Sequence, residues 1–272
     1  MKTAKRFVFS TFAAAVFFAL CGAAAAENRL EKVLKAGRLV VATEPYFSPY
    51  EFIDNTKTGQ DAIQGCDIEM AKYIADKMGV KLELVPLEFP AVLAGISQGR
   101  YDLAISALAY TPKRAETLEL SDVYRSDSKG HSLIVRRENA DKYKSFDDFD
   151  GKVVGYHTGT LQEQLVEAQL PKAKHRVYDT VQNAVLAVDA GKVDATAVSV
   201  MNGEMFVAAN PNLAVLPLRF KLEKSGNVIA ATKGEKELIA RVNEIIAEIK
   251  EKDLFPGWEA AALEKARTLG IK

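Results

Sequence analysis

Leu93-Ala94-Gly95-Ile96-Ser97-Gln98-Gly99-Arg100-Tyr101-Asp102-Leu103-Ala104 and Val185-Leu186-Ala187-Val188-Asp189-Ala190-Gly191-Lys192-Val193-Asp194-Ala195-Thr196 follow one pattern. Each is an apolar helical run, then Gly-basic-x-Asp, then the opening of an apolar strand. Two copies are too few for a solenoid. They point to one αβ unit used once in each of two similar lobes. Before the first copy lie a β-rich run at 38–43, helical spacing from Ile68 to Met78 stopped by Gly79, and an alternating strand at 80–85. Around the second copy, 132–135, 153–156, 176–178, 193–198 and 213–216 read as extended, with helices at 160–170, 181–190 and 201–209. A strand at 227–232, a long amphipathic helix at 235–252 and a last helix at 258–269 close the chain. This order predicts an α/β protein whose sheets are mainly parallel and flanked by helices.

In open α/β sheets, ligands sit beyond the carboxyl ends of the strands. That puts Ala107 to Arg114 at the end of the first repeated strand and Ser199 at the end of the second. The first end reads Ser106-Ala107-Leu108-Ala109-Tyr110-Thr111-Pro112-Lys113-Arg114. Thr111 is a helix N-cap and Pro112 the first helical residue, so Arg114 takes the place where a capping box has Glu or Gln. A cation there opposes the helix dipole by a few tenths to about 1 kcal/mol. Either Arg114 faces an anion, together with free backbone N–H groups of the same turn, or it is a solvated charge at an ordinary helix start.

The first 26 of the 272 residues carry export features: a basic start with Lys2, Lys5 and Arg6, an apolar stretch at 7–20, and small residues Ala23 to Ala26 before the cleavage point. Cys21 raises a lipoprotein alternative. It ranks second because Leu20 precedes it where a lipoprotein signal has a small residue. The whole chain has 36 basic and 36 acidic side chains, and losing the leader makes the remainder slightly acidic. Nothing in that balance suggests nucleic acid. With Cys21 gone, Cys66 is the only thiol and no intrachain disulfide can form, which a periplasmic location tolerates.

From about Gly37 to Trp258 the chain resembles the periplasmic solute-binding proteins of ABC importers for amino acids and related polar solutes, family 3. The strings that carry the resemblance are Gly37-Arg38-Leu39-Val40-Val41-Ala42-Thr43, Pro49-Tyr50-Glu51-Phe52, Gly65-Cys66-Asp67-Ile68-Glu69-Met70-Ala71, Gly99-Arg100-Tyr101-Asp102 and Thr111-Pro112-Lys113-Arg114. They continue with Leu120-Ser121-Asp122-Val123-Tyr124, Gly151-Lys152-Val153-Val154-Gly155, Thr158-Gly159-Thr160 and Gly191-Lys192-Val193-Asp194-Ala195. The resemblance implies the two-lobed type II periplasmic binding protein fold, with hinge closure on a ligand held between the lobes. It sets lobe 1 at 27–125 and 227–272, lobe 2 at 131–222, and hinge crossovers at 126–130 and 223–226. It implies a monomer that takes an amino acid-like carboxylate to an ABC permease in the inner membrane, with no cofactor and no metal.

The resemblance also assigns residues. Arg114 would clamp the ligand carboxylate bidentately. The backbone N–H groups of Ala109 and Thr160 would bind the same carboxylate, and small Ala107 and Ala109 would let it approach. Phe47 and Phe89, both expected in loops, would sandwich the ligand or pack between the lobes. Glu44 would line the cleft as an acid or stand as a solvated loop charge. His157 falls among side-chain-selecting positions or is a wet surface histidine. Ser199 is a departure: the family commonly has an Asp there to accept the ligand ammonium, and a hydroxyl cannot neutralise it. Glu44 or Glu204 then supplies the charge, or the ligand lacks an α-ammonium. Ala109 departs as well, where the family often has Ser or Thr. Residues 125–129 resemble a small insertion in the first crossover, and 259–272 run past the usual family end as a helix on lobe 1.

Two other functions compete with uptake. Some proteins on this fold are exported dehydratases of prephenate-like acids, and Glu44 or Glu204 could be the acid. Against an enzyme, His131, His157 and His175 have neither metal-ligand spacing nor a GxSxG companion, and no catalytic residue is assigned. The other competitor is a ligand sensor that docks on a membrane receptor.

Overall fold

The computed structural model describes residues 27–222 and 226–271. The expected leader, Cys21, most of the second expected crossover and Lys272 lie outside the described residues. The chain opens with α1 (Arg29–Ala36), β1 (Arg38–Thr43), β2 (Tyr46–Phe47), β3 (Glu51–Ile53), β4 (Ile63–Gln64) and α2 (Cys66–Met78). Then follow β5 (Lys81–Pro86), α3 (Phe89–Ser97), β6 (Leu103–Ala104), α4 (Pro112–Thr117) and β7 (Leu118–Leu120). The second lobe runs β8 (His131–Arg136), β9 (Val153–His157), α5 (Leu161–Gln169), β10 (Lys174–Tyr178), α6 (Val181–Asp189), β11 (Ala195–Ser199), α7 (Val200–Ala209) and β12 (Leu213–Val215). The chain returns to the first lobe with β13 (Ala230–Thr232), α8 (Lys236–Glu251) and α9 (Leu254–Thr268).

Each lobe is built on a five-stranded sheet, ordered β5-β1-β6-β13-β7 in the first and β10-β9-β11-β8-β12 in the second. The pairs β5–β1–β6 and β10–β9–β11 are parallel. One strand runs against the rest in each sheet, β13 in the first and β8 in the second. Each reversed strand belongs to a segment that has just crossed from the other lobe, so its direction follows from the crossover. The small antiparallel sheet β2-β3-β4 sits in a stretch whose Pro and Gly content reads as loop.

The repeated sequence unit is a repeated structural unit. Asp102 donates its N–H to the Val40 carbonyl (3.0 Å) and accepts the Val40 N–H on Oδ2 (2.8 Å). Asp194 does the same with Val153, at 2.8 Å in both directions. The Asp of Gly-basic-x-Asp therefore ties the turn after α3, or α6, to the neighbouring parallel strand, β1 or β9. Its role is architectural, and it sets where β6 and β11 begin.

Apolar burial follows the periodicity. Leu238, Val242, Ile245, Ile246 and Ile249 of α8 are all buried in the first lobe's core. At roughly 1.5–3 kcal/mol per buried side chain, that face alone holds the helix in place. α9 packs on the first lobe beside α2, with the Tyr73 and Trp258 rings 5.7 Å apart and Lys265 Nζ 3.0 Å from Asp54 Oδ2. Gly65, before α2, has no room for a side chain: a Cβ would lie 2.0 Å from the Tyr50 carbonyl oxygen. The two crossing segments lie side by side, with Tyr124 N donating to Asn227 O (2.9 Å) and Asn227 N to Arg125 O (2.8 Å). Among the described residues no helix is long and apolar enough to cross a membrane.

Candidate functional site

The ends of β6 and β11 face a cavity between the lobes, about 730 Å³ with its open mouth included. All nine residues expected there line it: Glu44, Phe47, Phe89, Ala107 and Ala109 with Arg114, then His157, Thr160 and Ser199 from the other lobe.

Arg114 is the central feature. Thr111 caps α4 as the sequence predicts, its Oγ1 accepting the Arg114 N–H at 3.1 Å. Arg114 is 6 % exposed and its guanidinium has no carboxylate partner among the described residues. Nη1 donates to Ala109 O (2.6 Å) in the first lobe and Nη2 to Gly159 O (2.8 Å) in the second. The charge lies 5.5 Å from the Phe89 ring centroid. Burial lowers the group to about 10, which leaves it cationic at neutral pH. An unneutralised buried cation costs several kcal/mol, and neutral carbonyls and a ring face offset only part of that. The solvated-charge reading of Arg114 does not survive its burial.

The chain beside Arg114 is held in an unusual conformation. Ala107 has φ +43, a left-handed value that a non-glycine residue adopts only under constraint. Asp67 Oδ2 accepts its N–H at 2.7 Å, and Asn227 Nδ2 donates to its carbonyl at 2.6 Å. Asp67 Oδ2 also accepts the Tyr124 hydroxyl at 2.8 Å. Glu51 lies behind this node, fully buried, with Ser106 Oγ donating to its Oε1 at 3.1 Å. Burial raises both carboxyls, Asp67 to about 6 and Glu51 further because the Asp67 and Glu44 charges add to it. No local sequence signal marks this node, because its members come from α2, β3 and the first crossover.

Glu44 and His157 face each other across the lobes, Nε2 to Oε1 3.7 Å, and both are about 5 % exposed. Burial and then the Glu88 charge push the Glu44 carboxyl up to about 8. Burial takes the His157 imidazole down to about 4. At neutral pH both are uncharged, and His157 Nε2 has no hydrogen-bond partner among the described residues. Neither the loop-charge reading of Glu44 nor the wet-surface reading of His157 holds.

The aromatic pair is placed differently from expectation. Phe47 belongs to β2, stacks on Tyr50 at 5.5 Å, and packs against the cores of both lobes. Phe89 is the first residue of α3, and its ring lies 5.8 Å from His157. Thr160 caps α5, its Oγ1 donating to His157 O at 2.6 Å. Ser199 caps α7 and donates to Asn202 Oδ1 at 2.5 Å, while Asn202 Nδ2 reaches across to Ser48 O at 2.7 Å. Glu204 does not line the cavity. Its side chain is half exposed and pairs with Lys129 at 2.5 Å, so it supplies no charge to the site.

Residues 125–129 do reach the cavity. Arg125 lines it, lying 5.3 Å from the Tyr50 ring and paired with Glu259 of α9 at 2.8 Å. Asp127 lines it too, its Oδ1 accepting the Gly130 N–H (3.0 Å) and its Oδ2 lying 3.1 Å from His131 Nε2. Gln162 Nε2 meets the other ring nitrogen, Nδ1, at 3.1 Å. Their signal in the sequence was the insertion itself, with a charged residue at alternate positions. Among the described residues no group of three or more His, Cys, Asp or Glu side chains could hold a metal ion.

Comparison with known proteins agrees with this architecture. The model of the bacterial extracellular solute-binding proteins, family 3, matches residues 39–256, and the chain belongs to that family. The arginine-binding extracellular protein ArtP of Bacillus subtilis is 26 % identical over 251 residues, 91 % of this chain and 93 % of that one. The structure of an amino acid ABC transporter substrate-binding protein from Streptococcus pneumoniae, bound to L-arginine, has a TM-score of 0.80 at 30 % identity, covering 87 % of this chain and 98 % of that one. The cyclohexadienyl dehydratase of Pseudomonas aeruginosa is 26 % identical over 195 residues, 71 % of this chain and 70 % of its own length.

Proposed function

We propose that this protein captures an amino acid or a related small carboxylate between its lobes and delivers it, from outside the inner membrane, to an ABC permease. One observation carries the reading: Arg114 is a buried cation that touches both lobes and has no carboxylate partner among the described residues. A guanidinium has more N–H donors than these two carbonyls use, in a fork that suits a carboxylate. The N–H groups of Ala109 and Thr160, which donate to no described acceptor, stand ready for the same anion. Phe47 and Phe89 wall the ligand, and His157 Nε2, which has no hydrogen-bond partner among the described residues, contacts its tail. The lobes are 27–125 with 227–272 and 131–222, and they close by a hinge at the paired crossovers.

Two relatives' names point the same way, since both proteins bind arginine. The leader at 1–26 sends the chain to the periplasm, where it works as a monomer. A thermal-shift screen over the standard L-amino acids, L-cystine, opines, amines and small carboxylates tests the reading. A binder at a hundred times its Kd adds about 2.7 kcal/mol of stability. A rise in Tm confined to carboxylate-bearing compounds is expected, and a rise with amines alone contradicts it.

One observation favours an enzyme: Glu44 is a buried, protonated carboxyl in the cleft, the form a general acid needs. Turnover of prephenate or arogenate by the purified protein would establish that reading and displace the binder. Unchanged prephenate leaves the binder in place.

A further inference from the structure

We infer that residues 46–48 form a clasp gripped by the second lobe, and that Ser199 is a positioning residue for it, aiming the Asn202 amide across the cleft. The inference goes beyond the reading of the cavity, because it does not depend on which compound binds there. Three consecutive residues make the grip. Gln182 Nε2 of α6 donates to Tyr46 O, and Asn202 Nδ2 of α7 donates to Ser48 O at 2.7 Å. Between them the Phe47 ring packs on the second lobe's core, beside Val181 and Phe206. Asn202 and Ser48 are both buried, so water does not replace their bond while the lobes meet. Tyr46, Ser48, Gln182 and Asn202 stand outside the cavity lining. The clasp is therefore made of protein groups alone.

Ser199 decides which way the amide points. Its hydroxyl donates to Asn202 Oδ1 at 2.5 Å, which turns Nδ2, the end that only donates, toward Ser48 O. The same hydroxyl oxygen caps α7, accepting the Asn202 N–H at 3.4 Å. An ionised Asp at 199 would cap the helix as well as Ser does, but it has no proton to give. It would accept from Nδ2 and draw that group off Ser48. The hydroxyl that stands where an acid was expected is thus the group the clasp requires.

Small-angle scattering of the mature protein at pH 7, with no compound added, tests the inference. Wild type is expected to match the profile calculated from this structure. Asn202→Ala should lower the ratio of closed to open molecules by roughly two- to tenfold, the worth of one net hydrogen bond. Gln182→Ala changes no fully buried side chain and should act in the same direction, so it tests the clasp even where Asn202→Ala does not fold. The two factors should multiply in the double variant, which is expected to have the larger radius of gyration. Ser199→Asp and Ser199→Ala lack the proton donor and should expand the protein. Ser199→Thr keeps the donor and should not. Asp and Thr both keep the cap, so a role confined to α7 would leave their profiles alike. A wild type that is already open overturns the inference. So does a double variant, or Gln182→Ala where it alone folds, with the wild-type profile, or a Ser199→Thr profile shared by Ser199→Asp and Ser199→Ala. These outcomes are read without any compound, so they are distinct from a failure of the amino acid reading.

Discussion

The two lobes end their equivalent strands in opposite ways. β6 runs into a strained, charged loop: Ala107 at φ +43, a fully buried acid pair behind it, and a buried cation five residues past Ala109. β11 runs into Ser199, which caps α7 and spends its hydroxyl on Asn202. Up to that point the lobes match, down to the Asp102 and Asp194 bonds that start each unit. The scaffold is thus repeated and the chemistry is not. What a strand end can do is set by the residues after the last shared position and by what distant segments bring to them. Asp67, which holds the first end through the Ala107 N–H, does not belong to the repeated unit.

The largest test of that asymmetry is Arg114→Ala. It removes the buried cation of the first strand end, and ligand affinity should fall by about 2–5 kcal/mol, on the order of 30- to several-thousand-fold in calorimetry. A Kd unchanged in this variant would make the two ends equally passive. Next is Asp67→Ala, which orphans the Ala107 N–H and the Tyr124 hydroxyl in a dry site. A loss of about 3 kcal/mol in urea unfolding is expected, and a loss under about 0.5 kcal/mol would mean that Ala107 is held by other means.

Glu44 and His157 sharpen the comparison through pH. Glu44 is protonated in the folded protein up to about 8 but ionises near 4.5 when unfolded, so its contribution is complete below 4.5 and is lost as pH rises to 8. His157, held to about 4 against 6.5, contributes fully above 6.5 and loses that contribution as pH falls to 4. Between 4.5 and 6.5 the two oppose each other. Between 6.5 and 8 Glu44 contributes a loss of about 2 kcal/mol, and the buried Glu51 carboxyl, also raised, adds a loss in the same direction. The ligand-free protein should therefore lose Tm across that upper window, and Glu44→Gln should make the loss smaller. The same slope in both proteins would show that Glu44 is ionised throughout.

The smallest effect tests the half of the comparison that claims sameness. Asp102→Asn and Asp194→Asn should each cost about 1–2 kcal/mol, alike within about 1 kcal/mol. The Asp102 variant should be the costlier because Arg29 Nη1 also pairs with it at 3.4 Å. A free Asp194→Asn beside a costly Asp102→Asn would break the equivalence.

What could be read from the chain alone follows this division. Periodicity placed the helices, Gly79 stopped α2, Thr111 capped α4, and the repeated unit announced the two lobes, because each of these signals is written in neighbouring residues. The resemblance brought the nine cavity residues together by number. It could not say that Glu44 and His157 are neutral, since burial decides that. Phe89 reads as a loop residue because Pro90 follows it, yet proline is tolerated in the first turn of a helix. The nodes around Asp67 and Asp127 were out of reach for one reason. Their partners lie far along the chain, Asp67 from Tyr124 and His131 from Gln162, and no local pattern encodes such a meeting.

The most direct measurement of the central claim is a crystal structure of the protein with its tightest-binding amino acid. The ligand carboxylate should lie within about 3 Å of the Arg114 guanidinium nitrogens, as in other charge-assisted pairs. A bound ligand whose carboxylate sits elsewhere, with Arg114 still held only by the Ala109 and Gly159 carbonyls, would contradict the account.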